Sequence, residues 1–196
     1  MSTIDYIINL ILSGILIVGI YQFYFFTQRN AIRKARSFHS PIDEKIPFWP
    51  IWSWVYSFLY YPAILYINWI VEDHRQFVII VFSYTVLLVM QMFFFMLFPV
   101  STPPHWRTMN TGKNLSERFL LYVQKFDDSS NCFPSMHVSV ATLTALLALS
   151  TLGPWVFMFP LLIALSCMFT KQHYLIDLPA GALLGWVAFQ VYCAVM

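Results

Sequence analysis

Charged side chains are scarce in this chain of 196 residues: Asp, Glu, Lys and Arg together make up 10%, whereas 59% of the residues are hydrophobic. A soluble domain carries about 25% charged residues, so this composition excludes an ordinary soluble domain and is typical of a membrane protein. The net charge of +2 is also too small to indicate nucleic-acid binding, and we expect no nucleic-acid partner.

Cysteine is rare too, with Cys132, Cys167 and Cys193 in the whole chain. An odd number of cysteines without paired spacing indicates neither a disulfide framework nor a zinc site. We therefore expect no metal ion and no cofactor.

Long polar segments are few, and the apolar runs between them predict six membrane spans. About 20 apolar residues in a helix cross the hydrocarbon layer, because each residue adds about 1.5 Å. Pro62 should kink the second span, and Gly181 with Gly185 gives the sixth a small-residue face for close packing. The predicted fold is an all-α bundle of six transmembrane helices, a single membrane domain (1–196) in the lipid bilayer. The expected spans are 4–26, 47–71, 77–98, 136–152, 155–169 and 178–196.

The segment Phe133-Pro134-Ser135-Met136-His137 opens the fourth predicted span. Proline suits the first helical position, so we expect Ser135, Met136 and His137 to lie in the first turn. Backbone N–H groups there have no intrahelical partner, and the positive end of the helix dipole adds to them. This predicts a phosphate-binding turn with a histidine that can transfer protons. The alternative is a capped helix start with a histidine at the membrane interface.

A second polar cluster, Lys171, His173 and Asp177, lies between the fifth and sixth predicted spans. Six spans put both termini on one side of the membrane, so the loops after spans one, three and five share the opposite side. Arg107, in the long loop after span three, and His137 then lie at the same membrane surface as this cluster. We expect these five residues to form one site.

Two histidines, an aspartate and two cations are suited to phosphoryl transfer. His173 can attack phosphorus, while Asp177, one helical turn later, would hold the other ring nitrogen and stabilise the imidazolium. His137 would protonate the leaving oxygen and then deprotonate the attacking water. The charge on the equatorial phosphate oxygens would be stabilised by the remaining groups: Lys171, Arg107 and the amides around Ser135.

Simpler roles exist for the same side chains. Asp177 could cap the sixth span, and Lys171 could extend its ammonium group to the membrane surface. His173 and Asp177, four residues apart, could bind a metal ion, although no further ligand motif accompanies them.

The two segments resemble signatures of a known family. Pro134-Ser135-Met136-His137 is similar to the second signature of the type 2 phosphatidic acid phosphatase superfamily, Pro-Ser-Gly-His, and His173-x-x-x-Asp177 to the end of the third. The resemblance covers roughly residues 99–185. It implies a six-helix bundle and metal-independent hydrolysis of a membrane lipid phosphomonoester or pyrophosphate. It also implies that His173 is the nucleophile that forms a phosphohistidine, Asp177 its partner and His137 the acid and base.

The sequence departs from these signatures at the cations. Cys167 stands where the third signature has an arginine, and the first signature, a lysine separated by six residues from Arg-Pro, is absent. We therefore assign phosphate binding to Lys171, with Arg107 as a second candidate. Such degenerate signatures, with Gln172-His173-Tyr174, resemble the branch that includes sphingolipid head-group transferases. Transfer to a lipid alcohol is therefore the alternative to hydrolysis, and a non-catalytic lipid-binding bundle is a third hypothesis.

The basic residues make a conflicting prediction about orientation. Of the eleven Lys and Arg residues, only Arg75 lies outside the loops on the predicted catalytic side. The positive-inside rule would put this face in the cytoplasm, whereas the family resemblance implies the outer face. A basic face can instead serve anionic lipid head groups. We therefore expect an integral protein of the bacterial inner (plasma) membrane with a periplasmic or exoplasmic catalytic face.

Overall fold

The computed structural model describes residues 2–196, and all regular structure in this range is helical. Short 3₁₀ turns at Pro50–Trp52 and Gly153–Phe157 connect some of the helices. The helices are α1 Thr3–Arg29, α2 Pro41–Lys45, α3 Ser53–Phe58, α4 Tyr60–Ile70, α5 His74–Leu97, α6 Pro104–Thr108, α7 Leu115–Gln124, α8 Met136–Leu147, α9 Leu149–Leu152, α10 Met158–Phe169 and α11 Asp177–Val195.

Within residues 2–196, four helical segments are long and apolar enough to cross a membrane: α1, α5, Leu149–Phe169 and α11. They indicate an integral membrane protein and support the predicted spans at 4–26, 77–98, 155–169 and 178–196. The six-span count stays a prediction, because the other two segments are shorter. The α8 helix has 12 residues, and the second predicted span is divided into α3 and α4.

The division of the second predicted span lies at Leu59, between α3 and α4. Pro62 lacks an N–H group, and its ring clashes with the carbonyl four residues earlier, which belongs to Phe58. The regular helix is therefore interrupted at Leu59, on the N-terminal side of Pro62, although Leu59 keeps right-handed helical dihedral angles.

The α8 and α11 helices make the most extensive contact in the bundle, and the two predicted small residues lie between them. A Cβ atom added to Gly181 would collide with the Ser135 carbonyl oxygen, and one added to Gly185 would collide with that of Ser139. Only glycine permits this approach, which confirms the close-packing face predicted for the sixth span. The contact also brings the first turns of both helices together.

The loops after the first, third and fifth predicted spans meet at one end of the bundle. The Asn131 side chain, just before α8, donates a 2.9 Å hydrogen bond to Thr27 Oγ1 at the end of α1. The backbone N–H of Ser135 donates to the Asp177 carbonyl oxygen at 3.0 Å, which joins the starts of α8 and α11. At this end, segments more than 100 residues apart in sequence form one polar region.

The other end of the bundle carries a separate set of contacts. His74 at the start of α5 lies 3.5 Å from the Asp5 carboxylate near the start of α1. Gln76 donates a 3.4 Å hydrogen bond to the Tyr192 hydroxyl near the end of α11. The helices thus run between two distinct polar ends, and the candidate residues occupy only the first.

Candidate active site

The first turn of α8 begins two residues later than predicted, at Met136 instead of Pro134. Ser135 is the N-cap residue, with an extended ψ of 112°, and its hydroxyl accepts a 3.4 Å hydrogen bond from the Val138 N–H. Pro134 therefore precedes the cap instead of occupying the first helical position, and the Ser135 N–H donates to the Asp177 carbonyl oxygen. The peptide bond before Pro134 is cis.

The backbone amides of Met136 and His137 are the free donors of this turn. Among residues 2–196, neither amide has a hydrogen-bond partner. They lie at the positive end of the α8 dipole, where an anion is stabilised by both the N–H groups and the dipole. The turn can therefore bind a phosphate group.

The imidazole of His173 is buried, with 5% of its side chain exposed, and its orientation is fixed by two groups. Its Nδ1 atom lies 2.9 Å from the Cys132 carbonyl oxygen. A carbonyl oxygen only accepts hydrogen bonds, so Nδ1 is the donor, and in the neutral imidazole Nε2 is the nitrogen that keeps its lone pair. The Asp177 carboxylate lies further away, with Oδ2 at 3.4 Å from the same nitrogen. Asp177 thus shares the orienting role that the sequence assigned to it alone.

The Asp177 carboxylate is fully buried at the start of α11. Its Oδ2 atom accepts a 2.8 Å hydrogen bond from the Tyr174 N–H. Its Oδ1 atom has no partner among residues 2–196. The carboxylate does not cap α11, whose N-cap is Ile176 without a side-chain hydrogen bond. It is instead a negative charge held beside His173, suited to stabilise an imidazolium.

His137 faces His173 across the site, with the two ring centroids 5.7 Å apart in an edge-to-face arrangement. The ring of Tyr56 stacks on His137 with centroids 4.1 Å apart. The Tyr60 hydroxyl donates a 2.5 Å hydrogen bond to the His137 carbonyl oxygen. Two tyrosines of the second predicted span therefore position this histidine. Neither tyrosine was predicted, because the aromatic residues there suit a membrane interface equally well.

Lys171 lies in the same loop as His173, but its ammonium group is engaged elsewhere. The residue is 3% exposed, and Nζ donates a hydrogen bond to the Asp43 carbonyl oxygen. The ammonium also lies 4.9 Å from the ring centroid of Trp106. Burial lowers the pKa of Lys171, against the opposing effect of the Glu44 carboxylate. Within the described part of the chain, Lys171 makes no hydrogen bond or ion pair with either histidine.

Arg107 is also engaged outside the histidine pair. Its guanidinium donates to the carbonyl oxygens of Gln124 at 3.2 Å and Asp127 at 2.5 Å. The guanidinium also forms an ion pair with the Asp127 carboxylate, 3.7 Å away. Arg107 therefore links α6 to the segment that follows α7. These contacts support the long loop, and none of them joins the guanidinium to His137 or His173.

Cys167 lies close to both histidines, although the sequence predicts no role for it. One ligand atom each from His137, Cys167 and His173 can be chosen so that all three atoms lie within 4.8 Å of one another. Cys167 is fully buried in the last turn of α10. The odd cysteine count gave no signal for this arrangement, because the two histidines that accompany Cys167 come from other elements.

Comparison with known proteins supports the family that the two signatures resemble. The family described as "PAP2 superfamily" matches residues 30–191, a range that includes every candidate residue above. No curated protein and no solved structure gives a match.

Proposed function

Because the chain belongs to the PAP2 superfamily, whose members are typically phosphatases, we propose that it hydrolyses a membrane lipid phosphomonoester or pyrophosphate. His173 is the nucleophile, and the reaction passes through a phosphohistidine. The observation that carries this proposal is the bond from His173 Nδ1 to the Cys132 carbonyl oxygen, 2.9 Å long. This bond occupies Nδ1, so Nε2 is the ring nitrogen that is available to attack phosphorus.

In the first step, Nε2 of His173 forms a bond to phosphorus while the bond from phosphorus to the leaving oxygen breaks. His137 gives its proton to that oxygen, so the lipid alcohol or phosphate leaves neutralised. The positive charge that develops on His173 is stabilised by the Asp177 carboxylate, 3.4 Å from Nδ1.

In the second step, His137 takes a proton from water, and the resulting hydroxide attacks phosphorus. The N–P bond breaks, and its electron pair returns to Nε2 of His173. Inorganic phosphate leaves, and His137 is again protonated for the next cycle. This exchange of acid and base roles needs one histidine near the nucleophile, and the 5.7 Å centroid separation supports His137 in that role.

Charge on the equatorial phosphate oxygens is stabilised mainly by backbone groups. The free amides of Met136 and His137 supply hydrogen-bond donors at the start of α8, and the Ser135 cap fixes their direction. Lys171 adds positive charge beside the site. Its bond to α2 also holds the loop before α11 in place. Arg107 contributes indirectly, because its contacts support the long loop that precedes α8. No divalent metal takes part in this mechanism.

Transfer to a lipid alcohol is the alternative function. The sequence Gln172-His173-Tyr174 resembles the branch that includes sphingolipid head-group transferases. The same phosphohistidine can pass its phosphoryl group to an alcohol if His137 deprotonates that alcohol instead of water. The product identifies the acceptor: hydrolysis yields inorganic phosphate, and transfer yields a new phospholipid.

We place the site on the exoplasmic face, which is the periplasmic face of a bacterial inner membrane. The basic residues at this end then face anionic lipid head groups. Lys113 is exposed in the loop before α7, so a cysteine placed there reports which side the loop occupies. In a C193S background, K113C should react with a membrane-impermeant maleimide in intact cells. Reaction only after the membrane is broken would place the site in the cytoplasm.

A panel assay on the purified protein tests the proposed activity. Phosphate release is measured from phosphatidic acid, a sphingoid phosphate and an isoprenoid pyrophosphate, each in mixed micelles. We expect release from at least one of them, and no release by H173A. A wild-type protein that is folded but inactive on every member would support the non-catalytic hypothesis.

A further inference from the structure

Cys167 takes no part in the proposed mechanism, yet it lies in the same cluster as both catalytic histidines. One ligand atom from each of His137, Cys167 and His173 can be chosen with all three within 4.8 Å of one another. Around a tetrahedral zinc ion, with bonds of about 2.0–2.3 Å, such atoms lie roughly 3.3–3.8 Å apart. The three groups therefore already lie at a distance close to that of a metal-binding set.

The surroundings of His173 match those of a metal-binding histidine. A histidine that binds metal through one ring nitrogen commonly donates its other N–H to a carbonyl or carboxylate oxygen. His173 does this through Nδ1, which lies 2.9 Å from the Cys132 carbonyl oxygen. Nε2 is therefore presented as the ligand atom.

A buried negative charge next to the cluster favours a bound cation. The Asp177 carboxylate lies 3.4 Å from His173 and is fully buried. Its Oδ1 atom has no partner among residues 2–196. A divalent ion on the neighbouring side chains would offset the cost of burying this charge.

We propose that His137, Cys167 and His173 bind Zn²⁺ or a similar thiophilic divalent ion, and that the bound ion inhibits the enzyme. The inhibitory part rests on the function proposed above. The ion would occupy the Nε2 lone pair of His173 that attacks phosphorus and the ring nitrogen of His137 that transfers the proton. Three protein ligands leave the fourth position for water or a phosphate oxygen.

The chemistry of the three ligands sets the selectivity of this site. A thiolate and two imidazoles favour Zn²⁺ and Co²⁺ over Mg²⁺ and Ca²⁺, which prefer oxygen ligands. The Cys167 thiol releases its proton to solvent when the ion binds, because the thiolate is the ligand. The apparent affinity should therefore rise with pH.

Cobalt titration of the purified metal-free protein tests binding without any activity assay. Co²⁺ bound to a thiolate gives a charge-transfer absorption band in the near ultraviolet. We expect this band in the wild type and in the control C193S, whose cysteine is exposed. We expect no band in C167S, or in C167A if C167S elutes from size exclusion as aggregate. A folded wild-type protein without the band, or a C167S protein that retains it, would overturn the proposal.

Inhibition is measured separately, with each variant normalised to its own metal-free activity. Zn²⁺ should inhibit the wild type, EDTA should reverse the inhibition, and C167S should need at least ~10-fold more Zn²⁺, because one of three ligands is lost. Wild-type protein that binds Co²⁺ but hydrolyses no lipid phosphate would refute the proposed function and leave the site standing. Wild-type protein that hydrolyses lipid phosphate but shows no cobalt band would refute the metal site and leave the proposed function standing. Activation by Zn²⁺ would overturn the inhibitory role.

Discussion

The Nδ1 atom of His173 donates a hydrogen bond to the carbonyl oxygen of Cys132 at 2.9 Å, and this contact decides which ring nitrogen is free. The residues are 41 positions apart in sequence. The contact joins the loop before α8 to the loop before α11. His173, the proposed nucleophile, is therefore tied to the segment that leads into the first turn of α8.

Replacing His173 and replacing His137 should block the reaction at different steps. With a radiolabelled lipid phosphate, H173A should form no covalent intermediate, because the nucleophilic nitrogen is gone. H137A should accumulate phosphoenzyme on a substrate with a good leaving group, because attack proceeds while water activation is slow. The label should be stable in base and labile in acid, as expected for a phosphoramidate. Label on H173A, or label trapped only when His173 is replaced, would reverse the two roles.

Replacing the carboxylate of Asp177 should weaken the reaction without abolishing it. In D177N the amide oxygen can still accept the Tyr174 N–H, and the Cys132 carbonyl still holds the His173 ring. The imidazolium loses its countercharge, an interaction of about 1.5–3 kcal/mol, so we expect kcat to fall by about 10- to 100-fold. Pre-steady-state labelling measures the rate of phosphoenzyme formation. A kcat equal to that of the wild type would show that the Cys132 carbonyl is sufficient.

The role of Lys171 can be separated into charge and structure with vanadate, which resembles the transition state. If its charge acts on the phosphate group, K171A should lose turnover and vanadate affinity together, each by about tenfold, or roughly 1.4 kcal/mol. K113A, which changes an exposed loop lysine, is the control. A lower melting temperature with an unchanged vanadate inhibition constant would show that Lys171 only anchors the loop to α2.

Hydrolysis should not require a divalent metal. In the proposed mechanism the chain itself supplies the attacking nitrogen, the acid and the charge-stabilising amides, so EDTA should leave at least the basal activity. Removal of a contaminating thiophilic ion should even raise it, in line with the inhibitory site inferred above. Complete loss of activity in EDTA, restored by a single metal ion, would instead support a catalytic metal on the histidines.

The contact between α8 and α11 should be intolerant of larger side chains. G185V would push against the Ser139 carbonyl and the neighbouring turn of α8, and overpacking of this kind costs about 1–3 kcal/mol. The melting temperature in detergent should therefore fall, together with activity. G14V is the matched control, because nothing lies within 4 Å of a Cβ atom added to Gly14. Equal melting temperatures for the two variants would contradict the packing described here.

The sequence by itself determined the helical membrane character of the chain and the gathering of its polar loops. Apolar runs of about 20 residues specify helices because the bilayer satisfies no backbone hydrogen bonds. The close-packing face at Gly181 and Gly185 was equally predictable, since spacing and size fix which residues permit close approach. Two short motifs, each at the start of a helix, were sufficient to indicate His137, His173 and Asp177.

Only the tertiary structure decided how these residues are oriented and which others join them. The Cys132 carbonyl is a backbone group, so the residue type does not predict the direction in which it points. Lys171 has the charge that phosphate needs, yet its contact is made by Asp43, 128 positions away in sequence. Cys167 joins the two histidines through the packing of α10 against α8. The partner of a long or buried side chain depends on which segments fold next to it. Neither the residue type nor its spacing in the sequence predicts that partner.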